Sequence, residues 1–402
     1  MSRLRKLKIN LLVWIVIAIL LGILCGNFFP QWLTRCFVTF NSIFGSFLGF
    51  TIPLIILGFV APAIGDIGKG AGKMLLLTVI LAYGATIAAG YLSYFTSVTF
   101  FPRYLEPHAT PLAQSDAVTL APYFTIPMPP LMDIMSALIL AFVLGLGITC
   151  MKNGSVYMQN LLCEFRDIIS WVIARVIVPL LPLYIFGIFL NMTATGEVGP
   201  VISTFLRVIV IIFLLHLFWL VVLYLIGGCF SRHSKNPFKL LWTMLPAYFT
   251  ALGTQSSAAT IPVTLRQTIK MGVDEDVAGF TIPLCATIDL SGSALKIVAC
   301  AIALMLTNGM HFDLGMFSYF IMMMGVTLVA APGVPGGAIM AALGLLSSVL
   351  GFSEADNALI IALYIAMDSF GTACNVTGDG ALALIVDRFF GKKEVESPDI
   401  LQ

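Results

Sequence analysis

Four polar side chains recur at helical spacing in one apolar stretch near the end of the chain, MDSFGTACNVTGDGALALIV. Asp368, Thr372, Asn375 and Asp379 stand at i, i+4, i+7 and i+11, which places them on one face of an α-helix. Ionisable groups inside such an apolar segment cost at least about 2.5 kcal/mol each, and they are tolerated mainly where they face a cavity or a partner. The stripe therefore predicts a binding cavity. The plainer alternative is a hydrogen-bond network that only holds helices together.

A second polar interruption lies upstream, in PLCATIDLSGSALKIV, which contains Asp289, Ser291, Ser293 and Lys296. A helix that stays regular would place Asp289 and Lys296 on roughly one face, whereas Gly292 favours a local break. One interpretation is a plain intramembrane ion pair. The functional interpretation is that carboxylates and the oxygens of broken helices coordinate a hard cation such as sodium, while half-helix N-termini hold a substrate carboxylate.

The composition indicates which class of protein must position these groups. Hydrophobic residues make up 59% of the 402 and charged residues only 10%, whereas soluble domains are about 25% charged. Apolar runs of about 20 residues, the length with which an α-helix crosses a bilayer, recur throughout. We therefore expect an all-α polytopic membrane protein that forms one membrane unit. The eight cysteines are expected to be small buried hydrophobic residues and not disulfides or metal ligands.

Six transmembrane helices are predicted before residue 238, at approximately 9–30, 37–64, 74–101, 131–151, 160–192 and 199–228. Basic residues gather on the cytoplasmic side of short loops, so the start MSRLRKLK places the N-terminus inside, and SRHSKNPFK marks a cytoplasmic loop. Pro179 and Pro182 are expected to kink the fifth helix without ending it.

After residue 238 two apolar segments are interrupted at their centres, at about 238–266 by GTQSSAAT and at about 315–351 by PGVPGG. Each predicts a re-entrant hairpin, the first entering from the cytoplasm and the second from outside, since irregular backbone is tolerated there only against protein or water. Helices at about 277–306 and 355–387 follow the hairpins and place the C-terminus inside. An inverted pair of this kind indicates a secondary transporter and marks its binding site.

Five motifs resemble one known family, the dicarboxylate/amino acid:cation symporters, which include the glutamate transporters and their prokaryotic homologues. In chain order they are FTIPLIILGFVAPAIGDIGKG, TQSSAATIPVT, FTIPLCATIDLSGSAL, GVPGGAIM and DSFGTACNVTGD. The resemblance covers the whole chain. It implies eight transmembrane helices with two hairpins, a homotrimer in the cell inner membrane and an elevator mechanism. In that mechanism a scaffold of approximately 1–72 and 130–193 holds a transport domain of approximately 73–102 and 197–390.

The resemblance also implies roles for individual residues. Asp368 matches the carboxylate that pairs with a substrate's α-amino group, and Asn375 matches the amide that holds its α-carboxylate. The other implied substrate-binding positions are Ser256 and Ser257 in the first hairpin, Val334 and Gly336 in the gate formed by the second, and Lys296, Gly371 and Thr372 on helices 7 and 8. The implied sodium ligands are Cys285, Thr287, Asp289, Asn375 and Asp379.

Two departures from the family pattern bear on the substrate. Gly371 stands where members that carry acidic substrates have an arginine, which favours a small neutral amino acid such as serine, threonine or alanine. Lys296 replaces a tyrosine that is expected to lie near that arginine. The alternative is therefore transport of an acidic amino acid or dicarboxylate, with Lys296 in the role of the missing arginine.

Other departures bear on the cations. Asp289 replaces an asparagine and Ser291 replaces a sodium-ligating aspartate, while the matching helix 3 positions, which include Thr78, are poor in oxygen. One sodium site is thus weakened, and Lys296 is a candidate stand-in for its cation. Gln255 and Tyr364 replace an arginine and an aspartate that form a pair in some relatives.

We therefore expect a sodium-coupled amino-acid symporter, whose partners are a small substrate, the lipid bilayer and two further copies of the chain, with no nucleic acid. Proton coupling is the alternative, with Asp289 or Lys296 titrating. An intramembrane enzyme is not expected, because the chain contains no H-E-x-x-H, no G-x-S-x-G and no clustered His/Cys set. His216, alone in FLLHLFWL, is expected to be a packed or interfacial histidine and not a proton relay.

Overall fold

The computed structural model describes residues 11–67, 73–105, 120–150, 156–194, 198–232, 235–329, 331 and 336–391. Within these ranges every regular element is a helix, which confirms the all-α class. A helix satisfies its backbone hydrogen bonds within one segment, which is why an apolar chain adopts this form in a bilayer that offers no water.

The described residues before 235 form seven α-helices. Their bounds are α1 Leu11–Gly26, α2 Gln31–Ile67, α3 Lys73–Tyr104, α4 Ile134–Cys150, α5 Val156–Val172, α6 Val178–Ala194 and α7 Val198–Phe230. A π-helical turn, Ile173–Ile177, joins α5 to α6 directly before Pro179. Because proline lacks an N–H and its ring crowds the carbonyl four residues earlier, a widened turn there lets the helix continue. The two prolines leave the helix unbroken from Val156 to Ala194.

The described residues from 235 onward form four consecutive pairs of helices. The pairs are α8 Pro237–Thr254 with α9 Ser257–Lys270, α10 Glu275–Ile288 with α11 Ser291–Thr307, α12 Leu314–Val329 with α13 Gly337–Leu350, and α14 Glu354–Ala366 with α15 Asp368–Phe390. At the first break Gln255 adopts a φ of 52°. Ser256 then begins α9, since its hydroxyl accepts a hydrogen bond from the Ala259 N–H at 3.3 Å. The polar centre of GTQSSAAT thus ends one helix and starts another.

The last pair shows a bend that the sequence did not predict. α14 and α15 meet at an angle of 61° around Met367, which has a φ of −108° and a ψ of 9°. Asp368 consequently becomes the first residue of α15, where the helix dipole favours a negative charge. The stripe of four polar residues stays on one face because all four lie on α15.

Several helices are long and apolar enough to cross a membrane. Within the described ranges there are five: Gln31–Pro62, Lys73–Tyr104, Val156–Ala194, Phe205–Phe230 and Glu275–Thr307. The bent pair α14 and α15 is a sixth candidate if it is one span. The protein is therefore a multi-pass membrane protein.

The helices pack in two groups. α1, α2, α4, α5 and α6 contact chiefly one another, whereas α3 and α7 to α10 contact chiefly α11, α15 and their neighbours. α11 and α15 lie at the centre of the second group, and nearly all of their residues are buried. The predicted polar stripe is therefore buried within this group of helices.

Candidate functional site

A small cavity lies where the breaks of the helix pairs meet α15. Its volume is about 40 Å³, which exceeds the 10–15 Å³ or so that one water molecule requires. Most of its lining side chains are polar, and they come from several different helices or breaks: Gln255, Ser257, Thr287, Ser293, Tyr364, Asp368, Thr372 and Asn375. The fold thus brings the first hairpin (α8 and α9), helices α10 and α11, and the polar stripe of α15 together around one cavity.

All four residues of the predicted stripe are buried. Asp368, Thr372, Asn375 and Asp379 are between 1% and 7% exposed. The first three line the cavity, while Asp379 lies about one helical turn beyond Asn375, away from it. The stripe therefore serves two places, a cavity and a deeper polar cluster.

An internal ion pair holds Asp368. Its Oδ1 lies 2.7 Å from Nζ of Lys296, and its Oδ2 accepts a hydrogen bond from the backbone N–H of Gly336 at 3.0 Å. The Lys296 side chain is fully buried, and its Nζ also lies 3.5 Å from the centroid of the Tyr364 ring. The carboxylate and the ring offset the cost of burying the ammonium. Asp289 is not its partner, because the chain breaks between α10 and α11 and no longer places the two residues on one helix face.

Gly371 leaves the space that Lys296 fills. A Cβ atom at position 371 would lie 2.7 Å from Nζ and 2.8 Å from Cε of Lys296. Real Cβ atoms do not approach other atoms so closely, so a side chain at position 371 would require the lysine to move. The absence of a side chain at Gly371 on α15 therefore makes room for the Lys296 side chain from α11.

Backbone and side-chain groups of α11 orient Asn375. Its Oδ1 accepts a hydrogen bond from the Gly292 N–H at 2.8 Å, and its Nδ2 donates to Ser293 Oγ at 3.3 Å. The Tyr364 hydroxyl donates to the same Ser293 oxygen at 3.1 Å. The amide oxygen is thus turned toward α11, and the NH₂ group, which has a second N–H, is left for an acceptor in the cavity.

Two further carboxylates lie close together. Asp289 and Asp379 are both 1% exposed, and their charges interact. Among the described residues, neither has an oppositely charged partner, and both oxygens of Asp379 and Oδ2 of Asp289 accept no hydrogen bond. A Cβ atom at Gly378 would lie 3.4 Å from Asp289 Oδ2 and 4.0 Å from Ser291 Oγ, so these oxygens pack against α15. Buried carboxylates without partners are costly, and oxygens of this type suit a hard cation.

The donor set of this cluster consists of oxygens, which suit a hard cation. Among the described residues no group of three His, Cys, Asp or Glu side chains is placed to hold a metal ion. The carbonyl of Cys285 accepts the Asp289 N–H at 2.8 Å, and so lies in the last turn of α10, directly before the break.

Only some of the remaining predicted site residues line the cavity. Ser257 and Thr287 line the cavity, whereas Ser256 caps α9. Thr78 is buried and donates to the Met74 carbonyl within its own helix at 2.8 Å. Val334 lies outside the described residues.

Ser369 contributes to the site although it was not predicted. Its Oγ accepts a hydrogen bond from Gln255 Nε2 at 2.6 Å, which ties the tip of the first hairpin to α15. Ser369 lies next to Asp368 and off the i, i+4, i+7 stripe, so spacing alone gave no signal for it. Gln255 and Tyr364, which were expected as a substituted pair, both line the cavity but bond to different serines.

Gly292→Ala is expected to lower the free energy of unfolding by about 1–3 kcal/mol through overpacking. The new Cβ would lie 2.8 Å from both the Cys374 Cβ and the Gly371 carbonyl oxygen, and neither atom is the end of a flexible side chain. Gly279→Ala on α10 is the matched control, since nothing lies within 4 Å of its Cβ and alanine favours a helix. Thermal unfolding in detergent measures both variants. Equal melting temperatures would contradict the close packing of α11 on α15.

Comparisons with known proteins identify the family of this chain. A family model described as the sodium:dicarboxylate symporter family matches residues 11–389. The chain is also 26% identical over 393 residues to proteins named serine/threonine transporter SstT from Acinetobacter baumannii strains AYE and AB0057. These alignments cover 94% of this chain and 97% of each relative. The protein is accordingly a transporter and not an enzyme. Because the family model matches almost its whole length, the chain belongs to the sodium:dicarboxylate symporter family.

Proposed function

We propose that this cation-coupled symporter uses sodium to transport small neutral amino acids, with serine, threonine and alanine as the first candidates. The observation that carries the substrate class is the charge of the cavity. Asp368 is the one ionisable carboxylate among its lining residues, and Lys296 already matches that charge at 2.7 Å. The names of the relatives, serine/threonine transporters, support the same substrates.

A neutral amino acid finds a partner for each of its groups in this cavity. An ionised carboxylate has about four acceptor positions, and Asp368 uses two of them for Lys296 and Gly336, so it can still accept from a substrate ammonium. The free N–H of Asn375 and the N-terminus of α9 at Ser257 suit a substrate carboxylate. Thr372 supplies a hydroxyl for a substrate hydroxyl.

A second candidate is an acidic amino acid or a dicarboxylate bound by Lys296. The proximity of its ammonium to Gly371, at 2.7 Å from the Cβ position, favours this candidate. Two observations weigh against it: Lys296 is fully buried, and it does not line the cavity. A second substrate carboxylate would have to draw the lysine away from Asp368.

The proposed sodium site lies at Asp289 and Asp379. Within the described part of the chain, three of their four oxygens accept no hydrogen bond, which leaves them free to coordinate an ion. In this proposal Cys285 contributes its carbonyl, and Thr287 and Asn375 are the further ligands. The second sodium site, at Thr78 and Ser291, is weakened by the loss of its aspartate.

The proposed architecture has eight transmembrane helices and two re-entrant hairpins, α8 with α9 and α12 with α13, in a homotrimer of the inner membrane with cytoplasmic termini. The two packing groups support a division into a scaffold and a sliding transport domain. Most residues that line the cavity lie on α9, α10, α11 and α15 or at the breaks beside them, so the site would move with the transport domain as one body.

Uptake into proteoliposomes tests this proposal. Under an inward sodium gradient we expect accumulation of labelled serine, and competition by threonine and alanine but not by aspartate, glutamate or succinate. Uptake that ignores the sodium gradient and follows a proton gradient would overturn sodium coupling. Competition by the acidic compounds, abolished in Lys296→Ala, would favour the second candidate.

A further inference from the structure

We propose that His216 is a positioning residue for substrate binding, which fixes the first turn of α11 and thereby the orientation of the Asn375 amide. His216 lies on α7, outside the cavity, and no substrate contact is assigned to it. The inference rests on the proposed function in one respect, namely that Asn375 contacts the substrate.

A direct hydrogen bond joins His216 on α7 to Gly292 in the first turn of α11. Its Nε2 lies 2.9 Å from the carbonyl oxygen of Gly292, and the ring is 1% exposed. A carbonyl oxygen only accepts, so Nε2 carries the hydrogen and donates it. Nδ1 has no hydrogen-bond partner among the residues that the structure describes. The ring therefore makes one directed contact, and that contact is to a single carbonyl in the first turn of α11.

Gly292 is hydrogen-bonded through both its carbonyl and its N–H. These two bonds connect His216 to the Asn375 side chain, which lines the cavity. Its carbonyl receives the His216 hydrogen bond, while its N–H donates to Asn375 Oδ1 at 2.8 Å. A Cβ atom at Gly292 would lie only 3.0 Å from that same oxygen, so the two residues touch. A small rotation of the Gly292 backbone would lengthen the bond to Asn375 and free its amide to turn.

Ser293, the next residue, forms hydrogen bonds with two groups that line the cavity. Ser293 follows Gly292 directly, and its Oγ accepts hydrogen bonds from Asn375 Nδ2 at 3.3 Å and from the Tyr364 hydroxyl at 3.1 Å. His216 also receives a contact in return, because Cys374 Sγ lies 3.9 Å from its backbone carbonyl oxygen. α7, α11 and α15 are thus connected at one level, beside the amide that would bind a substrate carboxylate.

Three substitutions at His216 separate its hydrogen bond from its bulk. His216→Gln places an N–H donor the same number of bonds from Cα as Nε2, His216→Asn places it too close to the backbone, and His216→Leu removes it. We expect the KM for uptake to rise about tenfold or more in the leucine and asparagine variants, which corresponds to roughly 1.4 kcal/mol or more. The glutamine variant should stay within about threefold of wild type, and the maximal rate per folded transporter should change little in all three.

A double-mutant cycle with Asn375→Ala tests the route of the effect. If His216 acts through Asn375, His216→Leu should raise KM less than about twofold in the Asn375→Ala protein, because coupled residues are not additive. Trp219→Phe is the matched control on the same helix. Trp219 is 4% exposed and its Nε1 has no hydrogen-bond partner in the described ranges, so KM should be unchanged.

Three results would overturn the inference: a wild-type KM in His216→Leu, a full tenfold effect in the Asn375→Ala background, or a glutamine variant that behaves like leucine. KM is measured for whichever compound of the amino-acid and dicarboxylate panel the wild-type protein accumulates. A wrong substrate class would then contradict the proposed function, and the His216 result would still be read independently.

Discussion

In medium without sodium, the Asp379→Asn protein is expected to be more stable than the wild type by about 1–3 kcal/mol, because burying an amide costs less than burying a carboxylate beside a second one. Both carboxylate oxygens of Asp379 are buried and accept no hydrogen bond from the described residues, and Asp289 lies nearby as a second acidic group. An amide removes one of these charges. The same substitution removes a ligand for a hard cation, so stability in the absence of sodium and sodium binding should change in opposite directions.

The expected loss of apparent sodium affinity is about a hundredfold or more, equivalent to roughly 2.7 kcal/mol. A ligand that binds only the folded protein raises its melting temperature. Wild-type protein should therefore melt at a higher temperature as sodium replaces choline, and Asp379→Asn should not respond over the same range. Sodium titrations of uptake in proteoliposomes give the second measurement.

Asp387→Asn is the matched control for this experiment. Asp387 lies on the same helix and is also buried, but its Oδ1 accepts the Asp274 N–H at 2.9 Å and its Oδ2 lies 3.6 Å from Nε of Arg232. Losing that carboxylate should lower stability and leave the sodium response intact. An Asp379→Asn protein that keeps the wild-type sodium-dependent rise would show that the cation binds elsewhere.

Lys296→Met is expected to lower the free energy of unfolding by about 3–5 kcal/mol, because it leaves a buried charge without its partner. Among the described residues, the Gly336 N–H, at 3.0 Å, and the nearby Tyr364 hydroxyl would remain to Asp368 as uncharged donors. Asp368→Asn should also destabilise, since it leaves the fully buried lysine unmatched. The double variant should recover most of the loss, because neither charge then remains in the core.

Unfolding in detergent, followed over the four members of this cycle, measures the coupling between the two residues. The control is Arg166→Met: this arginine lies 3.3 Å from Asp167, and the two side chains are 36% and 71% exposed, so we expect a cost of about 1 kcal/mol or less. Additive losses in the double variant would contradict the buried ion pair. Uptake should stay low in the double variant even when stability returns, since Asp368 is proposed to bind the substrate ammonium.

Much of this molecule follows from local features of its sequence. Hydropathy over about 20 residues specified the membrane class, because a bilayer requires long apolar helices whatever they pack against. The spacing of Asp368, Thr372, Asn375 and Asp379 placed them on one helix face, since that depends only on the helical period. The polar centre of GTQSSAAT likewise predicted the break at which α8 ends and α9 begins.

Contacts between distant segments were decided by the tertiary structure alone. Sequence spacing offered Asp289 as a partner for Lys296, but the break before α11 separates them and packing of α11 on α15 brings Asp368 to 2.7 Å instead. Sequence spacing likewise did not predict the bend at Met367 or the hydrogen bond from His216 to Gly292. A residue's period along its own helix is a local property, whereas the partner of a buried charge depends on which helix face is turned toward it in the packed protein.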